Sequence, residues 1–262
     1  VPAMNAHDRQ HRAILQSIAQ RAMLERGLRP DFSAEAVAQL EKIQAPATMS
    51  GEPVRDLRGL LWDSIDNDDS RDLDQLTVAE TLPDNRVKIL VAVADVDALA
   101  KKDSAIDEHA RQNTTSVYTA GKTFPMLPEK LSTDLTSLNY QEDRPAIVIE
   151  MIISEAGEMQ SSDIYAATVR NHAKLAYNSV AAWLEGKAPA PDKAVAVDSS
   201  LAENLRVQDR VAQKLRSQRH QRGALDLQTL ESRPVFTGNE IQDLQVEETN
   251  RAKQIIEDFM IA

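Results

Sequence analysis

Two strongly apolar runs, Val87–Val96 (VKILVAVADV) and Ala146–Ile153, constrain this chain more than any other feature. The first reads as a buried strand and the second as another strong strand. The unbroken apolar stretches within them, Ala92-Val93-Ala94 and Ile147-Val148-Ile149, are far too short to span a bilayer. A sheet of such strands needs helices to cover it.

The remaining elements are read around these two. Ile14, Leu15, Ile18 and Ala22 recur at helical spacing until Gly27 and Pro30, and Ser33 is placed to cap a second helix carrying Val37, Leu40 and Ile43. A linker follows at Ala45-Pro46-Ala47 and Gly51-Glu52-Pro53. A strand over Leu60–Ile65, a helix over Ile106–Arg111 and an irregular segment from Tyr118 to Leu138 come next. Ala156-Gly157 marks a hairpin turn into a strand over Ile164–Val169. A helix over 171–185 ending at Gly186, a long basic helix over about 201–221, a strand pair near Asp226 and Val235, and a last helix from about 247 complete the chain. The order of elements predicts an α+β fold, a mixed sheet flanked by helices, preceded by a small helical N-terminal segment. The domain reading is 1–50 for that segment and its linker and 51–262 for the main domain.

The chain has 262 residues, 42% of them apolar, enough for a sizeable core. It lacks cysteine, which removes disulfides, thiolate metal sites and cysteine nucleophiles. With no apolar signal-peptide core at the start, the expectation is a cytoplasmic protein with no membrane contact. A net charge of −11 argues against a protein that coats nucleic acid through a basic surface, but not against an enzyme with a local basic track.

Six aspartates, Asp63, Asp66, Asp68, Asp69, Asp72 and Asp74, fall within twelve residues, opposed by the single Arg71. Such a cluster repels itself unless something positive sits within it. Hard divalent cations prefer oxygen ligands, and Mg²⁺ takes one or two carboxylates, with water and phosphate completing its shell. If residues 72–74 are extended, Asp72 and Asp74 face the same side, and Asp66 at the end of a strand completes the site. A solvated acidic loop and turn-capping aspartates remain open as alternatives. A calcium loop does not fit, because Arg71 and Thr77 stand where glycine and glutamate are needed.

At these residues the chain resembles a known family. The segment DLRGLLWDSIDNDDSRDLDQL is similar to the start of the RNB catalytic domain of ribonuclease II and ribonuclease R. The likeness continues through ILVAVADVDALAKKDSAIDEHA, TTSVYTAGKTFPMLPEKLSTDLTSLN and VRNHAKLAYNSVAAWLEG, and resumes at RGALDL and NRAKQIIEDFMIA. The resemblance implies an Mg²⁺-dependent hydrolase, with Mn²⁺ as a possible substitute, that removes nucleotides from the 3′ end of single-stranded RNA and releases nucleoside 5′-monophosphates. Asp66, Asp72 and Asp74 match the family's catalytic, metal-binding acids. A fourth acid is usual at the next position, where this chain has Gln75, an amide that offers an oxygen but no charge. Tyr118 matches the aromatic that stacks on the terminal nucleotide, which on pattern alone would be a core tyrosine. Tyr177 matches a second tyrosine near the substrate end, equally readable as structural. In the RGALDL block, Leu227 stands where the family often has a stacking phenylalanine. The family's helix continues beyond Ala262, so the resemblance implies part of a longer catalytic domain. A non-catalytic RNA-binding remnant is the alternative.

Arg206, Arg210 and Lys214 step by four along the basic helix, and Arg222 follows; they read either as a phosphate track or as a solvated face. Lys122, Lys130 and Lys174 are further cationic candidates. His7 and His11 stand four apart without a third ligand and read as a chance pair. No phosphate-binding glycine loop or dinucleotide fingerprint occurs, so no nucleotide cofactor is expected.

Overall fold

The computed structural model describes residues 6–48, 53–119, 121–192, 199–225, 231–237, 240–247 and 249–262. Its helices are α1 (Ala6–Glu25), α2 (Ala34–Lys42), α3 (Ala105–Asn113), α4 (Tyr177–Leu184), α5 (Ser199–Gln221) and α6 (Arg251–Ile261). Its strands are β1 (Arg55–Asp56), β2 (Asp63–Asp66), β3 (Gln75–Thr81), β4 (Val87–Ala94), β5 (Val117–Tyr118), β6 (Thr123–Phe124), β7 (Asp143–Ile153), β8 (Met159–Arg170), β9 (Ala173–Ala176), β10 (Glu231–Thr237) and β11 (Glu240–Glu247). The architecture is the expected mixed α+β.

The chain divides into two compact units. The larger comprises residues 45–99, 131–227 and 249–262. It is built on a seven-stranded sheet in the order β1-β8-β7-β4-β3-β2-β9. Pairing is antiparallel from β8 to β2 and parallel at both edges, β1 with β8 and β2 with β9. The β4 run is apolar at successive positions because both its faces are covered. Leu90 and Ala92 join a core with Trp62, Leu73, Leu76 and Val148 on one side. Ile89 and Val91 pack with Val207, Val211, Ile255 and Phe259 of α5 and α6 on the other. A third cluster joins Ile65, Ala173 and Leu175 of β2 and β9 to Val180, Leu201, Leu205 and Ile256. Helix α5 lies close over the β7–β8 turn: a Cβ on Gly157, which has φ +85°, would stand 2.7 Å from the Lys214 Cβ.

The smaller unit comprises residues 1–44, 100–130 and 228–248. The N-terminal helices thus share a compact body with α3, the β5–β6 hairpin and the β10–β11 hairpin. Ser33 caps α2, its Oγ accepting from the Ala36 amide at 3.2 Å. Buried His109 stacks on Phe32 with ring centroids 4.0 Å apart, and Asn113 exchanges two hydrogen bonds with the Arg29 backbone. Gln16 of α1 donates to the Gly121 carbonyl at 3.0 Å.

One expectation needs correction, and others are sharpened or lie outside the described residues. Residues 171–185 are not one helix: Ala173–Ala176 is a strand beside β2, and α4 begins only at Tyr177. Local pattern favoured the helix, but Ala173 and Leu175 alternate with outward residues and find their partner more than a hundred residues earlier. Among the described side chains of α1 and α2, Met23 and Ala36 are buried, whereas Ile14, Ile18 and Val37 are exposed. The late hairpin begins at Glu231; Asp226 and Leu227 lie outside the described residues. The side chains of His7 and His11 are likewise outside the described residues. Among the described residues no helix is long and apolar enough to cross a membrane.

Candidate active site

The acidic stretch bridges two neighbouring strands at one end of the sheet. Strand β2 ends at Asp66, which pairs with Ala176, the last residue of β9. Tyr177 follows and opens α4. Strand β3 begins at Gln75, opposite Val93 of β4, and the loop 67–74 joins β2 to it. Ile65, Leu73 and Leu76 are buried and anchor the two ends of this loop. Asp72 and Asp74 are exposed on either side of buried Leu73, the alternation expected if both carboxylates leave the chain on one side.

The loop is held through its backbone. Asp66 accepts from the Asn67 amide at 2.6 Å, and the Ser70 amide donates to the Asn67 carbonyl at 3.1 Å. The Ser70 hydroxyl also bonds the Asp66 carboxylate. The hydroxyl of buried Ser137 accepts from the Leu73 amide and reaches the Arg71 carbonyl, both at 3.0 Å, so it brackets Asp72. The amides of Leu138 and Ala94 donate to the carbonyls of Leu73 and Asp74 at 2.8 and 2.9 Å. The Lys174 Nζ donates to the carbonyls of Ser70 at 2.5 Å and Asp68 at 3.4 Å.

Two of these acids, Asp66 and Asp74, feel the charge of their neighbours. The carboxyl of Asp74 is raised above the usual carboxylate range, first by desolvation and then by the charges of Asp66 and Asp72. The residue as a whole is exposed, so the desolvation reflects protein crowding the carboxyl on some sides while another side stays open. Asp66 is also raised, chiefly by burial, with Asp72 adding repulsion and Lys174 opposing it. The phenol of half-buried Tyr177 is pushed up by burial and by the charges of Asp66 and Asp74. A divalent cation would relieve this repulsion. Among the described residues no three acidic or histidine side chains are gathered closely enough to hold a metal ion together. Mg²⁺ takes only one or two carboxylates, with water and phosphate completing its shell, so it does not require three such side chains. Gln75 is nearly buried where it opens β3.

Asp63 stands apart from the other five aspartates. It is fully buried beneath α5, its Oδ2 accepting from Gln208 Nε2 at 3.1 Å, while Oδ1 has no partner. Burial pushes its carboxyl up to about 8, so at neutral pH it is largely protonated. The acidic cluster in the sequence therefore overstates the charge at the loop.

The candidate RNA contacts divide by environment. Tyr118, in the smaller unit, is 69% exposed on β5 and is not a core residue. Tyr177 packs against the cluster of β9 and α4, and the Lys253 ammonium lies 5.9 Å from its ring centroid. Arg206, Arg210 and Lys214 form one exposed face of α5, and Arg222 is exposed just beyond it. The guanidinium of Arg206 sits over the Trp183 ring at 5.0 Å and pairs with Glu203, as does that of Arg210. Two groups were not picked out as holding the acid loop, Ser137 and Lys174. A hydroxyl and an ammonium that bond main-chain carbonyls leave no spacing signal in a sequence.

Residues 54–262 match the RNB domain. The chain belongs to the RNB family. Over 207 residues it is 39% identical to the ribonuclease R of Vibrio parahaemolyticus, covering 79% of this chain and 24% of that protein. It is 32% identical over 209 residues to the exoribonuclease 2 of Escherichia coli, covering 79% of this chain and 32% of that one. The solved structure of Mycoplasma genitalium RNase R in complex with ribose-methylated single-stranded RNA is similar with a TM-score of 0.78 at 25% identity, covering 91% of this chain and 37% of that one. This RNB chain thus spans about a quarter to a third of the length of these curated relatives.

Proposed function

We propose that this RNB chain is part of a metal-dependent, hydrolytic 3′-to-5′ exoribonuclease that acts on single-stranded RNA and releases nucleoside 5′-monophosphates in the cytoplasm. The observation that carries the proposal is the charge that Asp72 exerts on Asp66, and that Asp66 and Asp72 exert on Asp74, at the end of β2 and the start of β3, in a chain whose relatives are named as exoribonucleases. Asp66, Asp72 and Asp74 would hold Mg²⁺, or Mn²⁺ in its place, with the Gln75 amide as a neutral neighbour. When bound, the cation lowers the pKa of an attacking water and stabilises charge developing on the phosphodiester. The phenol of Tyr177, raised in part by the charges of Asp66 and Asp74, stays protonated at working pH, able to donate to a phosphate oxygen. Tyr118 offers an exposed ring on which a base of any identity can stack. Arg206, Arg210, Lys214 and Arg222 are the proposed contacts to backbone phosphates.

One observation favours a second reading, a non-catalytic RNA-binding remnant: Gln75 stands where the resemblance calls for a fourth acid. The deciding experiment incubates 5′-labelled single-stranded RNA with the chain, with Mg²⁺ or EDTA, beside Asp74→Asn. Stepwise shortening from the 3′ end that needs both Mg²⁺ and Asp74 supports the enzyme. Salt-sensitive RNA binding without shortening, unchanged in Asp74→Asn, fits either a part that does not cleave by itself or the remnant. Shortening by a longer form of the protein separates these two, and absence of RNA binding rejects both.

A further inference from the structure

The loop that carries the candidate acids is held both by local bonds at Asp66 and by side chains from outside it. Residues 67–69 are exposed, and no regular element runs from Asn67 to Asp74. Like charges in so short a segment spread apart when nothing holds the main chain. Two side chains from elsewhere in the larger unit supply that hold. Ser137 bonds both peptide groups flanking Asp72. The other is Lys174, whose β9 register opposite Ser64 brings it alongside the end of β2. Its ammonium donates to two carbonyls of the turn between Asp66 and Asp72, those of Ser70 and Asp68. Two of its three N–H groups are therefore directed at protein carbonyls, which leaves it poorly placed to act as a free phosphate clamp.

We propose that Lys174 is a positioning residue of the candidate active site, its ammonium fixing the Asn67–Arg71 turn so that Asp66 and Asp72 are presented together to a divalent cation. The inference rests on the metal-dependent reading above. It assigns Lys174 a role distinct from the phosphate contact that its charge alone suggests.

The two roles differ in sign. Deleting a cation beside an acidic cluster, by Coulomb's law alone, tightens the binding of another cation. Deleting a residue that orders the ligands weakens it, as loss of outer-shell partners weakens metal sites by roughly 10- to 100-fold. The test uses the 262-residue chain and its Lys174→Met and Lys174→Arg variants. Mn²⁺ affinity is read from the electron paramagnetic resonance signal of the free ion, and loop order from amide hydrogen exchange over residues 67–72. RNA affinity and its salt dependence are measured in EDTA. The expected result for Lys174→Met is Mn²⁺ binding weaker by about 10-fold, faster exchange confined to the loop, and unchanged RNA binding, with Lys174→Arg recovering most of the loss. Tighter Mn²⁺ binding, or unchanged exchange, overturns the proposal. Weaker RNA binding with a shallower salt slope reassigns Lys174 to phosphate. If the unmodified chain binds no Mn²⁺, the metal reading itself fails, a result visible before any variant is compared. Should Lys174→Met not fold, Lys174→Gln, which keeps a donor at shorter reach, takes its place under the same criteria.

Discussion

The acid loop between β2 and β3 and the basic face of α5 both concentrate like charge, yet their surroundings treat that charge in opposite ways. On α5, Glu203 reaches both Arg206 and Arg210, and the Arg219 guanidinium meets buried Asp258 at 2.6 Å. Positive charge there is answered within the helix or by its neighbour. In the loop, Asp66 and Asp74 are raised chiefly by burial, with Asp72 adding to both, while the backbone is held by Ser137 and by Lys174, whose charge also opposes the rise at Asp66. Exposed ion pairs are worth little, and their loss is tolerated. Carboxylates kept close in a crowded place are costly unless a ligand repays the repulsion. Density of charge in the sequence does not separate the two cases; how crowded and how buried each group of charges is does.

If the loop is the functional member of this pair, its acids carry the largest effects. Asp66→Asn keeps the shape of the side chain and its place at the end of β2 while removing one charge. The expected outcome is a fall in the rate of RNA shortening of at least about 100-fold, the scale on which single groups that stabilise developing charge act. RNA affinity in EDTA should stay the same or rise slightly, since a repulsive charge has gone. Unimpaired shortening in single-turnover assays would place the loop with α5, as a solvated charged surface.

Tyr118→Ala tests binding through the smaller unit. Base–aromatic stacking contributes about 1–3 kcal/mol per base, so the dissociation constant for a single-stranded oligonucleotide should rise by roughly 5- to 100-fold. Fluorescence of a 2-aminopurine placed at the 3′ terminus reports whether that base is the one unstacked. An unchanged signal there, with weaker binding, would move the Tyr118 contact to an internal nucleotide.

Asp63 is the acid that burial silences, and it sets a pH dependence of folding. Its folded-state pKa of about 8 lies above the ordinary value of 3.8, so between these limits the folded chain binds a proton that the unfolded chain has released. Stability from this group is therefore fully present at acid pH and is lost progressively as pH rises from about 4 to about 8. Asp63→Asn should flatten that slope in urea titrations and stabilise the chain at pH 8 by about 1–3 kcal/mol. An unchanged slope would mean that Asp63 is ionised and has a counter-charge.

How much of this was legible beforehand follows from where the information resides. Strands β4 and β7 announced themselves because burial on both faces leaves an apolar residue at nearly every position. The candidate acids were legible because carboxylates at that density need a reason. Strand β9 was hidden, since Ala173-Lys-Leu-Ala runs into a good helix and its pairing with β2 is a tertiary matter that overrides local pattern. The outward turn of Ile14 and Ile18 was hidden for a similar reason, because helical spacing names a face but the neighbours of α1 choose which face is buried. Ser137 and Lys174 act on main-chain atoms, which any residue supplies, so no spacing betrays them. The neutrality of Asp63 depends on the cover of α5 and on Gln208, far away in sequence.

The smallest effect bears on the comparison from the other side. If α5 is a phosphate track, Glu203 restrains it by holding Arg206 and Arg210. Glu203→Gln removes the restraint without touching either arginine. Because all three side chains are exposed, the fold should change in stability by no more than about 0.5 kcal/mol. RNA affinity at low salt should then rise by roughly 2- to 5-fold, and the slope of log affinity against log salt should steepen by up to about 0.7 for each arginine freed to meet a phosphate. The gain should vanish at high salt, where released counter-ions no longer favour binding. If affinity and slope are both unchanged, the basic face of α5 is a solvated surface that balances the acidic remainder of the chain, and the contrast with the acid loop becomes one between a working site and ordinary surface charge.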